Sequence, residues 1–129
     1  MNITFNKRDP LYVQVIRYFK EQIATGAFEP GEEIPSRREL ASKLKINPNT
    51  AQRAYKEMEE EGLIYTEGNN PSKVTKDIEK IASVRQEMIM EAVDAFVHAI
   101  RPINVSLDEV VGLIEAKLNE EQPEQEGRK

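Results

Sequence analysis

Asn49, Gln52, Arg53 and Lys56 stand three and four residues apart in NPNTAQRAYKEME, so a helix there would carry them on one side. Two amides, a guanidinium and an ammonium do not make an acid–base or nucleophilic site. They do match base edges and phosphates. Arg pairs with guanine O6 and N7, Asn or Gln with adenine N6 and N7, and Lys neutralises the backbone. Just upstream lie Arg37, Arg38, Lys43 and Lys45, which leaves Glu39 as the one acid between residues 37 and 56. Catalytic chemistry has little to work with. The absence of Cys removes thiolate nucleophiles, thiolate metal ligands and disulfides together, and the single His98 cannot build a His-rich metal site. With no glycine-rich phosphate loop and no nucleophile–base–orienter set, the chain is read as a non-enzyme with no catalytic residue, metal or cofactor.

The elements that must position this face are marked by their own start signals. Ser36 and Glu39 have capping-box spacing and open one helix near Arg37. Asn47 followed by Pro48 supplies an N-cap and a proline at the first helical position, opening a second. Ala51, Ala54, Tyr55 and Met58 then face a core. Gly62 stops that helix, Leu63 to Thr66 and Lys73 to Thr75 read as two strands, and Glu67 to Ser72 join them as a wing. Glu57, Glu59, Glu60 and Glu61 crowd the C-terminal end of the second helix, where both the macrodipole and a phosphate backbone would disfavour them. The N-terminal half is therefore the part expected to enter a groove. By spacing alone, a merely solvated polar face fits equally well.

Before this stretch, Tyr12, Val15, Ile16, Phe19 and Ile23 recur at helical steps between Pro10 and Gly26, with Asp9 as the expected cap. That stripe reads as ordinary core, Tyr12 included. Pro30-Gly31 is a turn pair, and Ile34 is expected in a very short strand. Residues 1–8 form a polar arm, packed on the body or loose.

The segments PSRRELA, NPNTAQRAYKEME and EGLI, with PLYVQV, IATGAF and PGEEIPS upstream, resemble the winged-helix domain of GntR-type bacterial transcription regulators over most of residues 9–66. The Asn-Pro-Asn-Thr opening of the second helix, in a short chain, is similar specifically to the YtrA-like subfamily. The resemblance implies a winged helix-turn-helix that binds double-stranded DNA, with Arg38 at the motif's arginine position. Candidate DNA contacts are Ser36, Arg37, Arg38, Asn47, Asn49, Thr50, Gln52, Arg53, Lys56 and Lys73. Family wings commonly carry Arg-Gly-x-Gly, whereas this chain has Glu67-Gly68-Asn69-Asn70-Pro71-Ser72-Lys73-Val74. An arginine contact to the minor groove is thus missing at the wing tip. Lys73 is either a phosphate contact or a solvated strand residue.

A net charge of −5 over 129 residues looks wrong for a DNA binder until it is divided. Residues 1–75 are balanced, with eleven basic and eleven acidic side chains, while residues 76–129 carry seven and twelve. The acidity is C-terminal, and local rather than net charge steers a phosphate backbone. The 39% hydrophobic and 32% charged composition suits a globular chain, no apolar run is long enough for a bilayer, and the start lacks a secretory pattern. The expected location is the cytoplasm, with no membrane partner.

From Asp77 a long helix is expected to reach Ile100, then a second from Leu107 after a Ser106/Glu109 cap. Ile81, Val84, Met88, Ile89, Ala92, Val93, Phe96 and Ile100 make an apolar face wider than one neighbour requires, joined by Val110, Val111, Ile114 and Leu118. These twelve residues are assigned to homodimerisation. The expected fold is mainly α with a small β-wing: a winged helix-turn-helix over 1–76, a helical dimerisation segment over 77–119 and a disordered acidic tail over 120–129. The expected function is a sequence-specific regulator bound as a dimer to an inverted-repeat operator. The resemblance implies repression of its own or a neighbouring operon, often one for transporters, under an effector the residues do not name. The alternative is a helical protein-interaction module that uses the same fold without specific DNA binding.

Overall fold

In the computed structural model, residues 1–126 are described. Their order is α1 (Leu11–Thr25), α2 (Arg37–Leu44), α3 (Pro48–Glu60), β1 (Ile64–Tyr65), β2 (Lys73–Val74), α4 (Ile78–Ile100), a 3-10 turn (Arg101–Ile103) and α5 (Leu107–Glu126). The chain is mainly helical with one small sheet. It divides into two compact units, Met1–Met90 and Glu91 onward.

The first unit is built around α1 and the α2–α3 pair. α1 begins one residue later than expected, because Pro10 with ψ 142 is the extended cap residue and makes no side-chain cap bond. Asp9 is held elsewhere: its N–H donates to Asn6 Oδ1 at 3.0 Å and its carbonyl accepts from Gln14 Nε2 at 2.8 Å. Asn6 also donates its N–H to Gln14 Oε1 at 2.9 Å, so the N-terminal arm is fastened to α1. Gly26, at φ 83, closes the helix in a left-handed conformation that suits glycine.

Val15, Ile16, Phe19 and Ile23 of α1 meet Leu40 and Ala41 of α2 and Ala51, Ala54, Tyr55 and Met58 of α3 in one buried cluster. All four expected core positions of α3 are there. Phe19 is central, its ring 5.9 Å from Tyr55 and 5.5 Å from Phe28 in edge-on and tilted packings that suit aromatic quadrupoles. The wing closes the cluster with Leu63, Ile64 and Val74. β1 and β2 pair antiparallel with Ile64 opposite Val74 and Tyr65 opposite Lys73. A bridge from Glu33 to Lys73 and the bond from Ile34 N–H to the Ser72 carbonyl, at 3.0 Å, place the segment before α2 along the other edge of β2.

α4 is capped by Asp77, whose Oδ1 accepts from the N–H groups of Glu79 and Lys80 at 3.0 and 3.3 Å. Its first turns belong to the first unit. Val84 is 1% exposed in that unit's core, and Ile81 and Met88 pack against the same cluster. The boundary expected at 76/77 is therefore displaced into the middle of α4, because the winged helix needs these three side chains to cover its own core.

The second unit is a helical hairpin. Arg101–Ile103 and the left-handed Asn104 (φ 59) reverse the chain, and Ser106 Oγ then accepts from the Glu109 N–H at 3.2 Å to start α5. α5 is continuous through 120–126, where a disordered tail was expected; the last part of that tail, residues 127–129, lies outside the described residues. Among the described residues no helix is long and apolar enough to cross a membrane.

Candidate nucleic-acid interface

The helix-turn-helix is fastened at three points. At the start of α2, Ser36 Oγ accepts from the Glu39 N–H at 3.1 Å, and the Ser36 N–H donates to Glu39 Oε1 at 3.2 Å. The Ser36 backbone N–H, and after it the Ser36 hydroxyl, hold the Glu39 carboxyl below its usual range, with Lys43 adding to the effect. Between the helices, Lys45 takes a left-handed conformation at φ 56, and Ile46 donates its N–H to the Ala41 carbonyl at 3.0 Å. At the start of α3, Asn47 Oδ1 accepts from the Asn49 N–H at 2.7 Å. Pro48 follows at the first helical position, where a missing N–H costs nothing.

This arrangement leaves Asn47, Asn49, Gln52, Arg53 and Lys56 exposed on α3, with Thr50 half-buried between them. Arg38 is exposed on α2 and Lys73 is half-buried on β2. Among the described residues, Arg38, Lys43, Lys45, Lys56 and Lys73 enter no ion pair, so their charge is available to a polyanion. Ser36 keeps its hydroxyl oxygen engaged in the cap.

Arg37 is engaged within the domain. Its guanidinium pairs with Glu59 near the end of α3 and lies 5.1 Å from the Tyr55 ring centroid, and its Nε is buried. A side chain held in this way braces α2 on α3. Tyr55 is buried beneath it and donates its hydroxyl to the Pro35 carbonyl. Burial raises its pKa well above the ordinary tyrosine value despite the nearby Arg37 charge, so it remains a neutral donor.

Three of the four acids at the end of α3 have partners as well. Glu57 pairs with Arg53 at 3.5 Å, Glu59 with Arg37, and Glu61 with Lys20 of α1 at 3.5 Å. Lys20 also reaches Glu87 of α4 at 3.5 Å. Cations from α1, α2 and α3 itself thus offset the unfavourable dipole placement, which leaves the basic half of α3 to define the local potential.

Tyr12 is the contact that sequence reading missed. The Arg53 guanidinium carbon sits 3.8 Å from its ring centroid, and Arg53 Nη2 donates to Tyr12 Oη at 3.0 Å. The two residues are forty-one positions apart, and an apolar stripe at helical spacing gave no reason to single Tyr12 out.

The twelve dimerisation candidates separate into two groups. Val84 is buried in its own unit and Ile81 and Met88 are packed on it, so these three have little or no surface for a second chain. Val110 is buried within the hairpin. Ile89, Val93, Phe96, Val111, Ile114 and Leu118 are each 40% exposed or more, Ala92 is exposed, and Ile100 is half-buried. Ile103, Leu107 and Leu113, which were not named from the sequence, are exposed too. In the second unit α4 and α5 enclose an apolar groove of about 520 Å³ lined by Phe96, Ile100, Val110, Leu113, Ile114 and Leu118. Among the described residues no cluster of His, Cys, Asp or Glu could hold a metal ion.

A three-helix core with a helix-turn-helix, an antiparallel wing and a basic α2–α3 face defines a winged-helix DNA-binding domain. Residues 11–74 match the family described as bacterial regulatory proteins, gntR family. The HTH-type transcriptional repressor YtrA of Bacillus subtilis is 49% identical over 57 residues, 44% of each chain. The HTH-type regulator YhcF of the same organism is 27% identical over 111 residues, 86% of this chain and 92% of that one. A solved GntR family transcriptional regulator from Listeria monocytogenes superposes with a TM-score of 0.82 at 30% identity, covering 87% of this chain and 98% of its own. The chain belongs to the GntR family, on its YtrA-like side, and is a helix-turn-helix transcriptional regulator rather than an enzyme.

Proposed function

We propose that the protein is a cytoplasmic repressor that binds an inverted-repeat operator as a homodimer and controls its own or a neighbouring operon. The observation that carries DNA recognition is the exposed face of α3, where Asn49, Gln52, Arg53 and Lys56 are open to solvent while Glu57, Glu59 and Glu61 are paired. In this reading Asn49, Gln52 and Arg53 touch base edges, and Arg38, Lys56 and Lys73 touch phosphates, with Ser36, Asn47 and Thr50 at the margins. The name of the relative YtrA supports repression as the sense of control.

The exposed apolar side chains of the hairpin support the second copy. A segment of this size cannot bury them within itself, and a two-fold partner supplies the same face in return. Two winged helices so joined would address half-sites about one helical turn apart. The test is a salt titration of the full chain on a duplex it selects from a randomised pool. Log affinity should fall linearly with log salt, and binding to mixed-sequence DNA should be at least about a thousandfold weaker. Equal affinity for both DNAs, or no salt dependence, would favour the protein-interaction module instead.

A further inference from the structure

We propose that Tyr12 of α1 is a positioning residue for sequence readout, holding the Arg53 guanidinium through its ring and hydroxyl so that the outer edge of the guanidinium meets one base pair. This deepens the reading above and rests on Arg53 being a base contact. A guanidinium has a face that stacks and an edge of five N–H groups that donate. Here the guanidinium carbon lies 3.8 Å from the Tyr12 ring centroid, Nη2 spends one N–H on Tyr12 Oη at 3.0 Å, and Nε is directed at Glu57 Oε1 at 3.5 Å. Both N–H groups of Nη1 and the second of Nη2 have no partner among the described residues. Those two nitrogens provide the parallel pair needed to engage guanine O6 and N7 end-on.

The platform is itself rigid. Tyr12 is half-buried against the core, and Val15, Ile16 and Phe19, on the next turns of α1, are buried against α3. The stretch of α1 that carries the ring is thereby fixed by the packing of two helices. An arginine on an exposed helix face ordinarily loses its rotamer freedom when it meets DNA. Arg53 has surrendered much of it beforehand, so less affinity is forfeited at the moment of contact. A sequence-independent phosphate contact would gain little from such orientation, because a point charge tolerates many geometries.

The experiment uses the full chain and the duplex it selects from a randomised pool, beside mixed-sequence DNA, with thermal melting of every variant. Arg53→Ala should lose affinity for the selected duplex and little for mixed DNA, and replacing the contacted guanine by 7-deazaguanine should reproduce that loss. Tyr12→Leu should weaken the selected duplex by about 5- to 30-fold, the upper end being the ~2 kcal/mol of arginine rotamer entropy at 1.4 kcal/mol per tenfold. Tyr12→Phe, which keeps the ring contact, should recover most of that loss. In the Arg53→Ala background Tyr12→Leu should have no further effect. The inference is overturned if Tyr12→Leu weakens both DNAs equally, costs the same without Arg53, or tightens binding, which would make the contact an inhibitory latch. If Arg53→Ala changes neither affinity, the base-contact reading of Arg53 fails together with this one. If only Tyr12→Leu is silent, this inference alone fails.

Discussion

Arg37, the first residue of α2, forms an ion pair with Glu59 near the end of α3, and its guanidinium carbon lies 5.1 Å from the ring centroid of buried Tyr55. Both charged side chains are 33% exposed, so the pair is neither fully screened nor fully desolvated. After discounting for solvent, the charge-assisted bond and the ring contact together suggest about 1–2 kcal/mol for Arg37→Ala. Arg37→Lys keeps the charge and loses the fork, and should recover less than half. Urea melts of the two variants measure this; an unshifted midpoint would show that the brace contributes nothing.

Arg38 is the contrast. It is exposed and free of ion pairs among the described residues, so Arg38→Ala should leave the melt unchanged. The slope of log affinity against log salt should fall by about one unit, as for a lost phosphate contact. An unchanged slope with a lowered melt would reassign Arg38 to the fold.

At the wing, Thr66 Oγ1 and Ser72 Oγ are 2.6 Å apart and close the loop, while Asn69 and Asn70 stand exposed at its tip. With no arginine there, replacing both asparagines by alanine should alter operator affinity by less than about 0.5 kcal/mol. A loss beyond about 1 kcal/mol would mean that the amides read the minor groove.

Acid stability should depend on the capping box. The folded pKa of Glu39 lies below the ordinary 4.5, chiefly through its bond to the Ser36 backbone N–H, then to the Ser36 hydroxyl. A carboxylate with a depressed folded pKa stabilises the protein above its unfolded value, and that stability is lost as pH falls through the lower folded one. Glu39→Gln should therefore show a shallower loss of stability below about pH 4.5. Acid limbs that superpose would mean that the charge of Glu39 adds nothing to the cap.

Dimerisation is testable where the second unit is most exposed. Full-length protein carrying Phe96→Asp and Ile114→Asp should sediment as a monomer. Its affinity for a duplex with two half-sites should fall by about 10²–10⁴, with single half-site binding unchanged, since the second contact is no longer intramolecular. A dimer that survives both charges would place the interface elsewhere. Val84→Ala acts differently, destabilising the winged helix itself by about 1–3 kcal/mol.

The starts of α2 and α3, the α3 core stripe and the exposed α3 face were legible because each is local. Ser36 with Glu39, and Asn47 with Pro48, are signals written within four residues, and a 3.6-residue period assigns sides to a helix without a neighbour. The domain boundary was not legible. Ile81, Val84, Met88 and the residues after them form one continuous apolar stripe, and only the fold shows that its first turns cover the winged helix while the remainder is left exposed.

What the sequence determined by itself was the set of helices, the winged-helix class and the basic half of α3, because capping, periodicity and local charge act over neighbouring residues. What the tertiary structure alone decided was the fate of individual charged groups. Arg37 and Arg53 are indistinguishable as exposed-type cations in the chain. One is paired with Glu59 over Tyr55, and the other is held on the ring and hydroxyl of Tyr12 with an edge left open, because contacts across α1, α2 and α3 depend on which helix faces which. No local rule encodes a meeting of residues twenty-two or forty-one positions apart.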